Sequence, residues 1–457
     1  MKQTPPEPGR QKVEGRMNFL PSRLAHFPAM SFFSVLISLF LTRPVQSQTP
    51  NPADFHRIRQ RGSLSGSVAT PNGMVPIKGE ALVEYEERVL ERAPTGEPLR
   101  TVRQYQKASL VREQAGQSGE GVLRPVLNPV VILRQGTTEV PFSPKGPMTL
   151  GEVDLLRTDV FVGALGGLLP PPGTAPGGSW KASDSAVREL TDLEMIQKGS
   201  IDCTFAPQSG TTPARVSFRG SVEGPQEEGL ARHEITGSLE PDGLGGIRIL
   251  DMQASQLLLG PGGTERGRIA GRFALERTGL SHLPNLSDAA LSGLKLTPDE
   301  TNTRLQVEIA GAGLGFTMSR RWRVISQAEK QLRIALPGGA EVLMTLEGSD
   351  RLPGLGELVN EGKSQLQKEN QKPGEPTNPV SREKTGVRFE YSALVAAKAD
   401  GSQDRWVYGV VRLQNSPTQV GSGSLFACRF PRASWPFWDR EIEELTRTGL
   451  SFYKLRP

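Results

Sequence analysis

The feature that most constrains this chain is a two-residue alternation of apolar and charged side chains, repeated in long runs. Ala81, Val83, Tyr85 and Val89 alternate with Glu84, Glu86 and Arg88. Val216, Phe218 and Val222 alternate with Arg215, Ser217, Arg219, Ser221 and Glu223; Ile269, Phe273 and Leu275 alternate with Arg268, Arg272 and Glu276. Successive side chains of a strand point to opposite faces, so each run is a half-buried antiparallel strand, apolar inward and solvated outward. The turn-rich segment 93–98 separates the first run from Val102–Arg112 and predicts a hairpin. Gly (51) and Pro (37) supply turns without any collagen period. A chain of 457 residues holds material for two domains, and 36% apolar residues exclude a polytopic membrane protein.

The N-terminus predicts export. Basic residues precede an apolar run, Met30 to Leu41, which is followed by a small-residue site near Ser47–Gln48. A spanning helix needs about 20 residues and this run has about a dozen, so residues 1–47 read as a signal peptide with translation starting at Met1 or Met17. The cleavage region has no Cys, which disfavours a lipid-anchored form. The expected product is periplasmic, extracellular or envelope-associated, with no integral membrane span after cleavage. Residues 1–47 carry six Lys or Arg against Glu7 and Glu14, so only +1 of the formal +5 belongs to the remainder. That body has no electrostatic footprint for a phosphate backbone, and nucleic acid is not an expected partner.

After the leader, residues 48–66 read as a flexible lead-in and 67–278 as an antiparallel β-rich domain. Two helical candidates interrupt the strands: Leu150–Leu165, with Leu150, Val153, Leu156 and Val160 at helical spacing, and Ser183–Lys198, capped by Ser-Asp-Ser with Thr191 and Glu194 as a capping box. The Pro- and Gly-rich segment 168–180 between them ends on Trp180, placed to plug the end of the sheet. Residues 279–300 form a connector. From 301 to 457 a second domain is expected: strands around Leu305–Ile309, a hairpin across Pro337-Gly-Gly, a helix over Leu355–Lys368, strands at 387–397, 405–413 and 423–430, and a final helix from Ser434 to Gly449. Within it, residues 367–386 hold one large apolar side chain, Val380, and are expected to be mobile. The fold class is therefore α+β: a β-rich antiparallel N-terminal domain plus a C-terminal antiparallel sheet with flanking helices.

Two resemblances accompany this reading. Pro176-Gly-Gly-Ser-Trp180, Gly199-Ser-Ile-Asp-Cys-Thr-Phe and Ala214-Arg-Val-Ser-Phe-Arg-Gly resemble uncharacterised exported β-rich proteins of bacteria, a likeness of packing motifs that brings no catalytic residues. The order of elements after residue 301, with Gly315-Phe-Thr-Met-Ser-Arg-Arg-Trp322, Leu425-Phe-Ala-Cys-Arg-Phe430 and the terminal helix, resembles the PsbP-like α/β/α sandwich. Met318-Ser stands where that pattern usually has a Pro before the Trp. The resemblance implies a small, mostly non-catalytic lumenal, periplasmic or envelope protein that binds partners, although fold does not fix function.

Motifs of chemistry are scarce. Of four histidines, His56, His233 and His282 follow no metal spacing, and His233 reads as a rim or core residue. Gly116-Gln-Ser-Gly and Gly421-Ser-Gly-Ser do not spell a nucleophile elbow, and Gly311-Ala-Gly-Leu-Gly-Phe runs into a strand where a dinucleotide fingerprint would open a helix. The Asp400–Asp404 run reads as a hairpin turn and no calcium loop. Glu86/Glu87, Glu227/Glu228 and Glu443/Glu444 read as solvated surface. Cys203 and Cys428 each alternate with Ile or Phe and are expected as separate buried thiols. No catalytic residue, cofactor or metal ligand is assigned. A partner or ligand surface is expected around Arg320, Arg321, Trp322, Arg323, Trp435 and Trp438. The preferred function is a non-catalytic binding or structural protein of the envelope, its partner another envelope protein. The alternative is a carrier of an apolar small molecule in a cavity lined by Val83, Tyr85, Val216, Phe218 and Phe273; a cryptic hydrolase ranks last and would need a cleft of perturbed polar groups.

Overall fold

The computed structural model describes residues 54–455 apart from 71–72, 95, 115, 136–137, 227–228, 337–338, 348–351 and 417–418. The signal peptide, both start methionines and the Glu227/Glu228 pair lie outside the described residues. Among these, one compact unit comprises residues up to 307 with 317–320, and a second comprises 308–316 and 321 onward.

The N-terminal unit is built on thirteen strands: β1 (Phe55–Thr70), β2 (Gly73–Arg92), β3 (Pro98–Gln114), β4 (Gln117–Val122), β5 (Val130–Gln135), β6 (Thr138–Phe142), β7 (Met148–Thr149), β8 (Ser179–Lys181), β9 (Lys198–Ala206), β10 (Arg215–Gln226), β11 (Gly229–Pro241), β12 (Ile247–Leu259) and β13 (Glu265–Gly279). All but β7 join one antiparallel sheet in the order β6-β5-β3-β2-β1-β13-β12-β11-β10-β9-β8, with β4 alongside β3. The chain runs outward from β1 to one edge at β6, crosses to the opposite edge at β8, and meanders back until β13 pairs with β1. The crossing segment carries helix α1 (Leu150–Leu156), a 3-10 stretch (Val162–Leu168) and helix α2 (Asp184–Thr191). Residues 55–66, expected in a flexible lead-in, are the first half of β1, bonded on both sides.

Glycine sets how closely these strands pass. A Cβ on Gly220 would stand 2.0 Å from the Ser200 carbonyl oxygen, and one on Gly66 2.0 Å from that of Arg268. Only a residue without a side chain admits such approach.

Short strands β14 (Leu305–Ile309) and β15 (Leu314–Met318) follow a connector with helix α3 (Asp288–Leu291). The C-terminal unit then adds β16 (Arg323–Gln327), β17 (Gln331–Ala335), β18 (Glu341–Glu347), β19 (Lys372–Pro373), β20 (Val380–Lys384), β21 (Val387–Ala397), β22 (Gln403–Ser416), β23 (Gln419–Pro431) and β24 (Tyr453–Lys454). Eight of these make an antiparallel sheet, β16-β17-β18-β23-β22-β21-β19 with β20 beside β21. Helix α4 (Leu355–Lys368) buries Val359 and Leu366 against Leu394, Ala396 and Tyr408. Phe389, Phe426, Phe452 and Phe316 form an aromatic core, with ring centroids 4.9–5.9 Å apart. The stretch 367–386, expected to be mobile, holds β19 and β20. Its backbone bonds along β21, from Gly374 N to Val395 O and from Thr377 N to Ala393 O, so main-chain pairing does what apolar side chains do elsewhere.

The α+β expectation is corrected. Antiparallel sheet predominates in both units, and among the described residues only α2 (8 residues), α4 (14) and helix α5 (Trp438–Gly449, 12) reach eight residues. The candidate helix over 150–165 stops after α1, and its remainder tightens into the Gly-rich 3-10 stretch. The candidate over 183–198 ends at Thr191 because Asp192 turns left-handed (φ 56). The capping box is at Thr149 and Glu152, where each side chain bonds the other's backbone N–H, not at Thr191 and Glu194.

Candidate functional site

The expected surface around residues 320–323 is not one patch. Trp322 is 3% exposed and belongs to the core, and the three guanidinium nitrogens of Arg320 are buried. Arg321 reaches Glu441 on α5, Nη2 to Oε1 at 2.7 Å. Trp435 and Trp438, by contrast, are half-buried and meet at a cation.

Their arrangement follows from the local chain. After β23 the segment Arg432–Phe437 winds into a 3-10 turn with Pro436 inside it, and α5 begins at Trp438. The Trp435 indole N–H donates to the Phe430 carbonyl (3.2 Å), folding the turn back on its strand, and the Trp438 ring packs edge-on against Phe430 at 5.0 Å. In the register of β22 and β23, Arg405 sits opposite Phe430. Its guanidinium carbon lies 4.7 Å from the Trp435 ring centroid and 4.4 Å from that of Trp438. Arg432 approaches Trp435 at 5.9 Å, and Arg440 lies over Phe437 at 4.9 Å, itself 52% exposed. Arg440 also bonds Glu441. Among the described residues the Arg405 guanidinium has no hydrogen-bond or ion-pair partner, and none of its nitrogens is buried.

A second cluster was missed in the sequence. Arg103 is 1% exposed in the side chain and sits directly opposite Glu87 across β2 and β3. Its Nε donates to Glu87 Oε2 (2.8 Å) and its Nη1 to Asp159 Oδ2 (2.6 Å), while the guanidinium lies 4.4 Å from the Tyr85 ring centroid and 5.6 Å from that of Phe161. Arg134, equally buried, bonds Glu189 (3.1 Å), approaches Glu139 (3.6 Å) and faces Phe161 from 5.0 Å. Gln60 completes the closure: its amide bonds both the N–H and the C=O of Val160 and reaches the Tyr85 hydroxyl. These contacts fasten residues 159–161 to the sheet. Burial raises Asp159 to about 6 and raises Glu139 and Glu189, each partly offset by its arginine. Burial also raises Glu87, but Arg103 outweighs it and holds that carboxyl below its ordinary range. Glu87 is thus no solvated surface residue, whereas Glu86 pairs with Arg57 at the exposed face.

The five residues expected to line an apolar cavity are all buried on one face of the N-terminal sheet. Tyr85 is covered by Arg103 and Gln60. Two open grooves, of about 790 and about 690 Å³, occur elsewhere. The first is lined by Leu64, Ile235, Ala254 and Ala270 together with polar residues such as Ser63, Gln253 and Arg272; the second is lined by Lys181, Asp202, Thr204 and Arg219, and it touches Phe218 alone of the five. None of the buried ionic residues lines either groove.

Both cysteines are buried and free, and burial pushes Cys203 up to about 11. His56, overlooked as a strand residue, is buried in β1 with its Nε2 2.7 Å from Arg277 Nη2; burial and that cation lower it to about 4. His233 is buried near Gln256 and His282 is exposed. Among the described residues, no three His, Cys, Asp or Glu are grouped to hold a metal ion, and no helix is long and apolar enough to cross a membrane.

No protein family matches the sequence, and no curated protein does. Among solved structures, the chain is similar to cyanobacterial PsbP (CyanoP) from Synechocystis sp. PCC 6803 at 11% identity and TM-score 0.25, over 33% of this chain and 92% of that one. It is similar to the Saccharomyces cerevisiae Ran-binding protein Mog1p at 11% identity and TM-score 0.24, over 33% and 95%. It is also similar to the translocator domain of the autotransporter NalP from Neisseria meningitidis at 10% identity and TM-score 0.11, over 84% and 89%. A PsbP-like part is thus met only as a remote alignment of a third of the chain, and the likeness expected for the N-terminal domain is not confirmed. Alignments at these scores leave function to the chain's own residues.

Proposed function

We propose that this chain is an exported, non-catalytic binding protein that works through protein–protein contacts at the arginine–tryptophan surface of its C-terminal unit. The observation that carries this reading is Arg405, stacked between Trp435 and Trp438 with its hydrogen-bond donors unspent. Tryptophan and arginine are the side chains that most often carry binding energy at protein interfaces. Phe437, half exposed beside them, adds apolar area a partner can cover. The export half of the proposal rests on the leader read in residues 1–47.

The non-catalytic half draws support from the buried ionic network. Perturbed carboxyls mark catalytic sites when they face a cleft. Here they face arginines of the same unit and neither groove. The carrier alternative draws less support, because Tyr85 is covered by the chain's own side chains and four of the five expected lining residues reach neither groove.

The test is site-specific photocrosslinking in the protein's own cells. A benzoylphenylalanine replaces Phe437 in the full chain, with the exposed Leu244 as the control position. A protein adduct of one defined mass at 437 and none at 244 is the expected result. No adduct at 437, or the same adducts at both positions, would overturn the proposal. Native mass spectrometry showing a small apolar molecule at fixed stoichiometry would favour the carrier instead.

A further inference from the structure

We infer that Arg405 is a carboxylate anchor, and that the partner presents an acidic peptide segment to it; this rests on the binding reading above. Two indole rings flank one guanidinium at 4.7 and 4.4 Å. Contact with two rings restrains the guanidinium before a ligand arrives, so less side-chain entropy is lost on binding. A planar fork with free donors matches a carboxylate through two parallel hydrogen bonds.

The charges around it select the ligand. Arg405, Arg432 and Arg440 lie within the one aromatic cluster, and Arg432, like Arg405, has no ion pair among the described residues. Glu441 is already engaged by Arg321 and Arg440, and Asp404, next to Arg405 in the strand, by Lys398 and Arg429. Asp439 stays exposed at the start of α5. The balance of Arg405 and Arg432 against the one exposed Asp439 carboxylate favours an anion. The exposed face of Phe437 offers apolar contact that a peptide can use and a free phosphate cannot. Acidic side chains spaced along an extended segment would meet Arg405 and Arg432 in turn.

The experiment titrates the full chain with a hexaglutamate peptide, read by calorimetry and by tryptophan fluorescence, since the two rings touch the anchor. Saturable binding that weakens with salt is expected. Arg405→Ala should weaken it about tenfold, and Arg405→Lys nearly as much, because an ammonium keeps the charge but loses the fork. Arg432→Ala should cost about threefold. Circular dichroism of Arg405→Lys guards against a folding artefact. Unchanged affinity in Arg405→Lys, or inorganic phosphate competing at the same concentration as the peptide, would overturn the carboxylate anchor. If hexaglutamate fails to bind while the crosslink at position 437 still captures a partner, the anchor falls and the binding proposal stands. If both fail, both fall.

Discussion

Arg103 and Arg405 are the same side chain on strands of two antiparallel sheets, each stacked on aromatic rings, yet the two units use them differently. Arg103 is sealed among Glu87, Asp159, Tyr85 and Phe161, and two of its nitrogens are engaged by carboxylates. Arg405 is half-buried over the rings of two tryptophans, and its guanidinium has no hydrogen-bond or ion-pair partner among the described residues. The first charge is consumed by the fold, since an uncompensated buried guanidinium is too costly to leave. The second costs the fold little and is left for something outside it. A buried, ion-paired arginine and a half-buried, unpaired one therefore carry opposite meanings, although Arg103 Nη2 and Asp159 Oδ1 stay buried without hydrogen bonds of their own.

The largest expected effect breaks the first member of the pair. Arg103→Met leaves Glu87 and Asp159 buried without a cation and should cost about 3–5 kcal/mol in urea unfolding. Next comes the pH dependence of the same unit. Burial raises Asp154, on α1, to about 7 and Asp159 to about 6, both above the ordinary 3.8. The native state binds more protons than the unfolded chain, so their contribution is full below pH 4 and is lost as pH rises through 6 to 7. Asp154→Asn should remove on the order of 2–4 kcal/mol of that slope between pH 4 and 8. His56 runs the other way: lowered to about 4, it costs stability as pH falls from 6.5 towards 4. Denaturant midpoints at pH 4, 5.5 and 8 separate the two.

A smaller loss sharpens the contrast by leaving both arginines alone. Gly220→Ala drives a methyl into the Ser200 carbonyl and should cost about 1–3 kcal/mol without touching the C-terminal unit. Smallest of all, Arg405→Met should change stability by less than about 1 kcal/mol, because a half-exposed cation–π contact is weak.

Much of the C-terminal unit was legible. The apolar face of Leu355, Leu358, Val359 and Leu366 gave α4 its observed limits, and the last three strands fell within β21, β22 and β23. Residues 55–66 were not, because Gly and Ser dilute the alternation of His56, Ile58 and Gln60 that makes β1 a central strand. The ionic cluster left a trace that was passed over. Glu87 stands at the same parity as Val83, Tyr85 and Val89, so a carboxylate was written on the apolar face and demanded a cation there. Which cation could not be read from one sequence, since Arg103 meets it only through strand register and Asp159 joins that arginine only through a long crossing. Trp435 and Trp438 were legible as a surface; the arginine between them was not, because Arg405 reaches them across two strands.

The most direct test is hydrogen exchange, read by mass spectrometry, on the matched variants Arg103→Met and Arg405→Met, because it follows each unit through its own peptides. The account predicts that Arg103→Met speeds exchange in β2, β3 and residues 159–168 by the equivalent of about 3–5 kcal/mol, while Arg405→Met leaves β22 and β23 protected to within about 1 kcal/mol. Equal losses in the two variants would mean that Arg405 is spent on the fold as Arg103 is, and would contradict the claim that it is kept for a partner.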